Sequence, residues 1–210
     1  MLAACGSDAP APQVSTFHTP TPKTWRVTSH PLGRGAFVPA NVSFGPAGLS
    51  LRLPAGTLDG GEVQSVGRTG DGTYTARLRA AAGPGSISAF FLYQHDYATD
   101  SSDELDFEIP VATPHQVILT VWRRGIKVPV AQRKAPLSFD PAAGLHDYAF
   151  VRKGSHVSFT VDGATLFQSD KAPDNDLHTI FNAWYPTWQT PSTPPQEGTM
   201  NVARFTFAAP

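Results

Sequence analysis

Short runs that alternate apolar and polar residues recur along this chain, and glycine or Asp-Gly closes most of them. In GTYTARLRA (72–80), Tyr74, Ala76 and Leu78 are set against Thr75, Arg77 and Arg79. Successive side chains on a strand point to opposite faces, so this pattern buries one face and leaves the other in water. Similar runs are GLSLRLP (48–54), SISAFFLYQ (86–94), ELDFEIPV (104–111), HQVILTVW (115–122), HDYAFVRK (146–153), HVSFTVDG (156–163), LHTIFNAWY (177–185) and NVARFTFA (201–208). Between them stand Asp59-Gly60-Gly61, Gly70-Asp71-Gly72, Gly83-Pro84-Gly85, Lys153-Gly154 and Asp162-Gly163, the residues of tight reversals. No segment carries a helical stripe; residues 140–144 would make one turn at most. Many short strands without helices predict an all-β sandwich or jelly roll.

The 210 residues suffice for one sizeable domain with a real core. A formal net charge of -1 points neither to nucleic acid nor to an anionic membrane surface. The single cysteine, Cys5, excludes an intrachain disulfide. It ends the small apolar run Leu2-Ala3-Ala4-Cys5 and is followed by Gly6-Ser7, which resembles the bacterial lipobox whose cysteine is lipidated after signal cleavage. The basic and long apolar parts of a signal peptide do not precede it, so two readings stand: a lipobox in a sequence that begins late, or an ordinary thiol at Cys5. Residues 6–22 are rich in Pro, Ser and Thr and read as a tether. The expected organisation is therefore a truncated signal-like start and tether over 1–22, and a single domain over 23–210. No run of 18 apolar residues is present to span a bilayer.

The stretch DELDFE (103–108) is unusual in a chain that is 16% charged. Glu104, Asp106 and Glu108 alternate with Leu105 and Phe107, so a strand here puts three carboxylates on one face. SISAFFLYQ is the most apolar run and reads as a central strand, with the loop 95–103 leading from it into the acidic strand. Three readings compete. A solvated edge strand usually carries Lys or mixed signs, and no cation lies within this stretch. A calcium loop needs a glycine after its aspartates, and none follows. Crowded carboxylates raise one another's pKa values, so that one keeps its proton while its neighbour is ionised. Glycoside hydrolysis needs such a pair, about 5–5.5 Å apart in retaining enzymes. Cα atoms four residues apart on a strand are about 13 Å apart, a gap that two Glu side chains leaning together largely close.

The acidic stretch resembles the E-x-D-x-E signature of glycoside hydrolase family 16, the lichenase and laminarinase group. GGEVQSVGRTGDGTYTARLRA (60–80), SISAFFLY, LHDYAFVRKGSHVSFTVDGATLF (145–167) and FNAWYPTW (181–188) are similar to further family segments, in the family's order, over about residues 45–207. The resemblance implies a concanavalin A-like jelly roll of two antiparallel sheets with a concave substrate cleft, and a retaining mechanism through a covalent glycosyl-enzyme. It implies Glu104 as nucleophile, Glu108 as general acid/base and Asp106 as the helper between them. It places Glu62 as a cleft carboxylate for sugar hydroxyls, Trp184 with Asn182 beside it, and Trp122 where relatives have a sugar-binding Tyr. Phe91 and Tyr93 are expected on the cleft floor and Trp188 in a Pro-rich loop, as aromatic faces suit pyranose rings. For Trp25, core packing is as good a reading as sugar contact.

The departures are Gln64 in place of a common Arg, Ile109-Pro110 after the last Glu, and the missing second cysteine. A carboxylate that some relatives contribute to a structural calcium site is replaced near Ala203, so no cofactor is expected and calcium is in doubt. The expected activity is endo-hydrolysis of a β-linked polysaccharide, a β-1,3- or mixed β-1,3-1,4-glucan, by a secreted or envelope-anchored monomer whose only membrane tie is lipidated Cys5. The alternatives are a transglycosylase on the same intermediate and a non-catalytic carbohydrate-binding jelly roll. A Ser-His-Asp hydrolase lacks a G-x-S-x-G elbow, and a zinc enzyme lacks an H-x-x-x-H pattern.

Overall fold

The computed structural model describes residues 12–111, 113, 115–125 and 129–210. Cys5 and the lipobox-like start lie outside the described residues. The strands are β1 (Gln13–Ser15), β2 (Trp25–Val27), β3 (Pro31–Leu32), β4 (Gly35–Ala36), β5 (Val42–Gly45), β6 (Gly48–Leu53), β7 (Gly61–Thr69), β8 (Gly72–Arg79) and β9 (Ile87–Asp96). They continue as β10 (Ser101–Pro110), β11 (Gln116–Gly125), β12 (Ala131–Pro136), β13 (His146–Lys153), β14 (His156–Val161), β15 (Ala164–Ser169), β16 (Leu177–Trp184) and β17 (Gly198–Ala208). One 3-10 turn, Pro39–Asn41, is the only helical element among the described residues.

Two antiparallel sheets hold nearly all of these strands. One has the order β15-β14-β13-β8-β17-β6-β5, with β1 added against β17. The other, which carries the acidic strand, has the order β12-β11-β10-β9-β16-β7-β2. The apolar run of β9 is central in it, as its composition predicts. Neighbouring strands are far apart in sequence in several places, so the sandwich is a jelly roll rather than a meander.

The alternating residues meet between the sheets. Leu105 and Phe107 of β10 and Phe90 and Leu92 of β9 are fully buried. From the other sheet come Tyr74, Ala76 and Leu78 of β8, and Tyr148 and Phe150 of β13, also fully buried. Phe107 packs against Phe150 and Phe159, and Phe90 stacks on Phe181. Each such ring removed from water contributes about 1.5–3 kcal/mol. Trp25 belongs to this core and not to the cleft: it is 5% exposed and packs on Phe17, Phe181 and Phe205.

Three sequence expectations are revised. The tether reading of residues 6–22 fails for its second half. Gln13, Val14 and Ser15 pair with Phe207, Thr206 and Phe205, Phe17 is buried, and Ser15 Oγ accepts the Trp25 indole N–H at 2.9 Å. A strand this short and polar has no alternation of its own; the open edge of β17 orders it. The loop assigned to 95–103 is only the turn Tyr97–Asp100, because β9 and β10 each extend toward it. Asp96 holds that turn, accepting from Ala98 N–H and the Thr99 hydroxyl at 2.9 and 2.8 Å. Strands β2, β3, β4, β5, β12 and β15 were not among the predicted runs, and β7 entered only through the family resemblance of residues 60–80. β12 (AQRKAP) is an edge strand with mostly exposed side chains, where hydrophobic alternation is not required.

Candidate active site

Burial of Leu105, Phe107 and Ile109 leaves Glu104, Asp106 and Glu108 on the opposite face of β10. Antiparallel register then sets a row of side chains across the sheet at each carboxylate. Glu104 lies between Tyr93 and Trp122, with His178 beyond Tyr93. Asp106 lies between Phe91 and Thr120; its row continues to Ile180, Gln64 and Arg26 on one side and Gln132 on the other. Glu108 lies between Ala89 and Ile118, and its row reaches Asn182 and Glu62 one way and Lys134 the other.

Two hollows meet at this strand. The larger, about 580 Å³, lies over β9, β16 and β7 and is lined by Glu62, Phe91, Tyr93, His178, Asn182 and Trp184. The smaller, about 390 Å³, lies over β11 and β12 and is lined by Ile118, Thr120, Trp122, Gln132, Lys134 and Trp188. Glu104, Asp106 and Glu108 line both, so the three carboxylates form the shared wall.

Their proton affinities are unusual for a physical reason. Burial raises the pKa of Glu104 to about 7; a hydrogen bond with Asp106 opposes the rise and the Glu108 charge adds to it. Burial likewise raises Glu108 to about 7. Asp106 is pushed well above the ordinary carboxyl range, first by burial and then by the charges of Glu104 and Glu108. The Trp122 indole N–H, donated to Asp106 Oδ2 at 3.2 Å, works against that shift. The hydrogen bond between Asp106 and Glu104 lowers Glu104 and raises Asp106, the directions expected when Asp106 is the donor. The two glutamates titrate as a coupled set near neutrality, where one can be ionised while the other holds a proton.

The larger hollow has a fixed polar floor. Glu62 is 5% exposed, and its Oε1 accepts from Thr28 Oγ1 at 2.7 Å and His30 Nε2 at 3.2 Å. Its Oε2 accepts from Asn182 Nδ2 at 3.0 Å. Asn182 Oδ1 is buried with no partner among the described residues, an acceptor that a ligand hydroxyl can satisfy. Tyr93 Oη bonds Ser102 Oγ at 3.2 Å. His178 donates from Nδ1 to the Ser65 carbonyl at 3.0 Å, and burial lowers its pKa.

All ten residues singled out in the sequence therefore line one hollow or the other. Trp122 also donates a hydrogen bond to Asp106. Arg26, Thr28, His30, Gln132, Lys134 and His178 were missed. Thr28 meets the site through Glu62, and the others lie in the hollows because of strand pairing or chain crossing. The signals for them are the register of β2, β12 and β16 and the path of the chain after β2, which a single sequence does not display. Among the described residues, no group of three or more His, Cys, Asp or Glu side chains is arranged to hold a metal ion.

Comparison with known proteins converges on one family. The model of glycosyl hydrolases family 16 matches residues 36–200. The endo-1,3-1,4-beta-glycanase ExoK of Rhizobium meliloti is 32% identical over 130 residues, which cover 59% of this chain and 46% of that protein. A beta-glucanase of Paenibacillus polymyxa is 31% identical over 149 residues, 69% of this chain and 62% of that protein. The match thus spans between about half and three-fifths of those relatives' lengths. The solved Bacillus licheniformis beta-glucanase superposes with a TM-score of 0.85 at 22% identity, over 96% of this chain and 99% of that one, and has the same jelly-roll fold.

Proposed function

The chain belongs to glycosyl hydrolase family 16, and from that premise we propose that it is a retaining endo-glycosidase cleaving internal bonds of a β-1,3- or mixed β-1,3-1,4-glucan. The observation that carries this reading is the shared carboxylate wall, with Glu104 and Glu108 both raised to about 7 between two hollows. A chain cut in its interior must be held on both sides of the broken bond.

In this mechanism Glu104, ionised, attacks the anomeric carbon. Glu108, protonated, gives its proton to the departing oxygen. Asp106 shares a hydrogen bond with Glu104 and stabilises its charge without competing as a second anion. Ionisation of Glu104 strengthens the hold of Glu108 on its proton through their mutual repulsion. After the leaving chain departs, Glu108 is the base that activates water to release the glycosyl group from Glu104. Glu62 and Asn182 bind hydroxyls of the glycosyl unit, and Phe91, Tyr93 and Trp184 cover its apolar faces. We place the reaction outside the cytoplasmic membrane, on the strength of the lipobox-like start and of a polymeric substrate.

The test is product analysis. The protein and its Glu104→Gln variant are incubated with mixed-linkage β-glucan and β-1,3-glucan, and reducing ends, fragment sizes and product anomers are followed. Hydrolysis is expected as new internal cuts with retained anomeric configuration, absent in the variant. Inverted product or full activity of Glu104→Gln would overturn the assignment. The second hollow, with Trp122 and Trp188 beside the carboxylates, favours one further reading: a sugar instead of water accepts the glycosyl group. Transfer redistributes chain lengths without new reducing ends.

A further inference from the structure

A line of polar side chains runs from an exposed turn into the larger hollow. Tyr93, which lines that hollow, meets Ser102 Oγ with its Oη at 3.2 Å. Ser102 Oγ also meets His95 Nδ1 at 3.2 Å, and His95 Nε2 stands 3.6 Å from Asp100 Oδ1. Strand pairing builds the line. His95 lies opposite Ser102 and Tyr93 opposite Glu104, so these alternate residues of β9 and β10 share the concave face. The Tyr97 ring stands edge-on to the imidazole, with centroids 4.5 Å apart. The His95 side chain is 23% exposed, whereas that of Asp100 is 93% exposed. The proposed mechanism assigns no task to His95, Ser102 or Asp100.

The direction of one bond in such a line fixes the next, because each hydroxyl has a single hydrogen to give. A carboxylate only accepts, so Asp100 draws the hydrogen of a neutral His95 ring to Nε2 and leaves Nδ1 as an acceptor. Ser102 then donates to His95, and Tyr93 donates to Ser102. The Tyr93 oxygen is left to the hollow as an acceptor only. When both ring nitrogens carry hydrogen, Nδ1 donates to Ser102, Ser102 donates to Tyr93, and the Tyr93 O–H turns to the hollow. Rotation of the two hydroxyls makes the change, and no heavy atom moves. Glu104, the neighbour of Tyr93 in the pairing, and the unpartnered Asn182 Oδ1 are acceptors. A Tyr93 donor therefore complements the oxygen of a sugar hydroxyl that donates to one of them.

We propose that Asp100, His95 and Ser102 form a relay that sets the polarity of the Tyr93 hydroxyl toward a bound sugar, acceptor when His95 is neutral and donor when it is doubly protonated. His95 and Ser102 are thus positioning residues that act through Tyr93, and acidification tightens sugar binding in the larger hollow independently of the β10 carboxylates. This rests on the glycosidase reading above. The charged groups that face the imidazole are of both signs. Asp100 is the nearest, and Asp96, Asp103, Asp174, Arg68 and Arg124 line a recess beside the turn that His95 lines as well. On the side of the larger hollow stand Glu104 and His178.

The experiment measures kcat and KM of the full chain on mixed-linkage β-glucan at about pH 5.5 and about pH 8, on either side of the ordinary histidine range. On acidification the wild-type KM should fall by roughly threefold to tenfold more than that of His95→Gln, which does not titrate; this is the worth of one neutral hydrogen bond. Ser102→Ala and Tyr93→Phe should lose the same part of the pH dependence. His95→Gln added to Tyr93→Phe should change that dependence by less than about twofold, since both remove one interaction. Every variant keeps the three carboxylates, so their own effect on KM cancels in the comparison. A pH dependence of KM that His95→Gln leaves unchanged, or that it alters as much in the Tyr93→Phe background, would overturn the relay. At about pH 8, nitrogen–proton NMR should find the His95 hydrogen on Nε2; a hydrogen on Nδ1 would overturn the relay too. Thermal unfolding checks the fold of each variant; if His95→Gln does not fold, Ser102→Ala decides in its place. A wild-type chain inactive on the glucan overturns the glycosidase reading, and the relay's part in sugar binding with it. An active wild type whose pH dependence the variants retain overturns the relay alone.

Discussion

The two faces of β10 are built from neighbouring residues and obey opposite rules. Leu105, Phe107 and Ile109 are buried among apolar rings and chains, where every contact favours the folded state. Asp106, buried, and Glu104 and Glu108, half-buried, are held one residue away on each side with like charges close. The inner face stabilises the sandwich so that the outer face can be kept in an environment that does not suit carboxylates. Stability and chemistry are thus separated by a single step along the chain, and substitutions on the two faces should have opposite signatures.

The largest expected effect is on catalysis. Glu104→Gln removes the proposed nucleophile with almost no change of shape and should lower kcat by ~10³-fold or more with the fold intact. Glu108→Ala should regain part of its lost turnover when azide is added to a substrate with a good leaving group; absence of rescue would argue against its acid/base role. On the inner face, Phe107→Ala should cost about 3–5 kcal/mol in denaturant unfolding, by loss of a fully buried ring. Turnover per folded molecule should be retained; a selective loss of kcat would erase the contrast between the faces.

A smaller effect sharpens the contrast through pH. The folded pKa of Glu104, about 7, lies above its ordinary 4.5. The native state therefore binds the proton more tightly than the unfolded chain does. The associated stability is fully present below about pH 4 and is lost as pH rises through 7. Glu104→Gln, which cannot ionise, should stabilise the protein at pH 8 by up to about 3 kcal/mol and give no such gain at pH 4. An equal gain at both pH values would mean that the burial of this carboxylate is not strained. The same coupled pair predicts a bell-shaped pH dependence of kcat/KM with its maximum near neutrality. The smallest change is Trp122→Phe, which deletes the one donor opposing the upward shift of Asp106 and should move that bell to higher pH. An unmoved bell would restrict Trp122 to packing and sugar contact.

Much of this was legible because strands report themselves when one face is buried. The alternation of Leu105 and Phe107 with three acids defines both the element and the side that carries chemistry. The segments without that signal were misread for a common reason. β12 lies at a sheet edge, β1 is ordered only by the edge of β17, and β2 is three residues long. None of them needs a hydrophobic period to be placed. Glu62 and Asn182 could be named from a family resemblance, but their mutual hydrogen bond, and the Thr28 and His30 contacts that fix Glu62, depend on β16 lying beside β7 and on the chain after β2 crossing over them.

The sequence by itself determined that this chain is a β sandwich and which face of β10 is acidic, as consequences of local periodicity set within a few residues. The glycosidase expectation came from the resemblance of DELDFE and the further segments to family 16. Only the tertiary structure decided which side chains share a row with each carboxylate, in which direction their proton affinities move, and that the Arg34 guanidinium donates to the carbonyls of Pro186, Thr187 and Gln189, more than 150 positions away. Register between distant strands and exclusion of water are properties of packed sheets, and no residue carries them until its neighbours are in place.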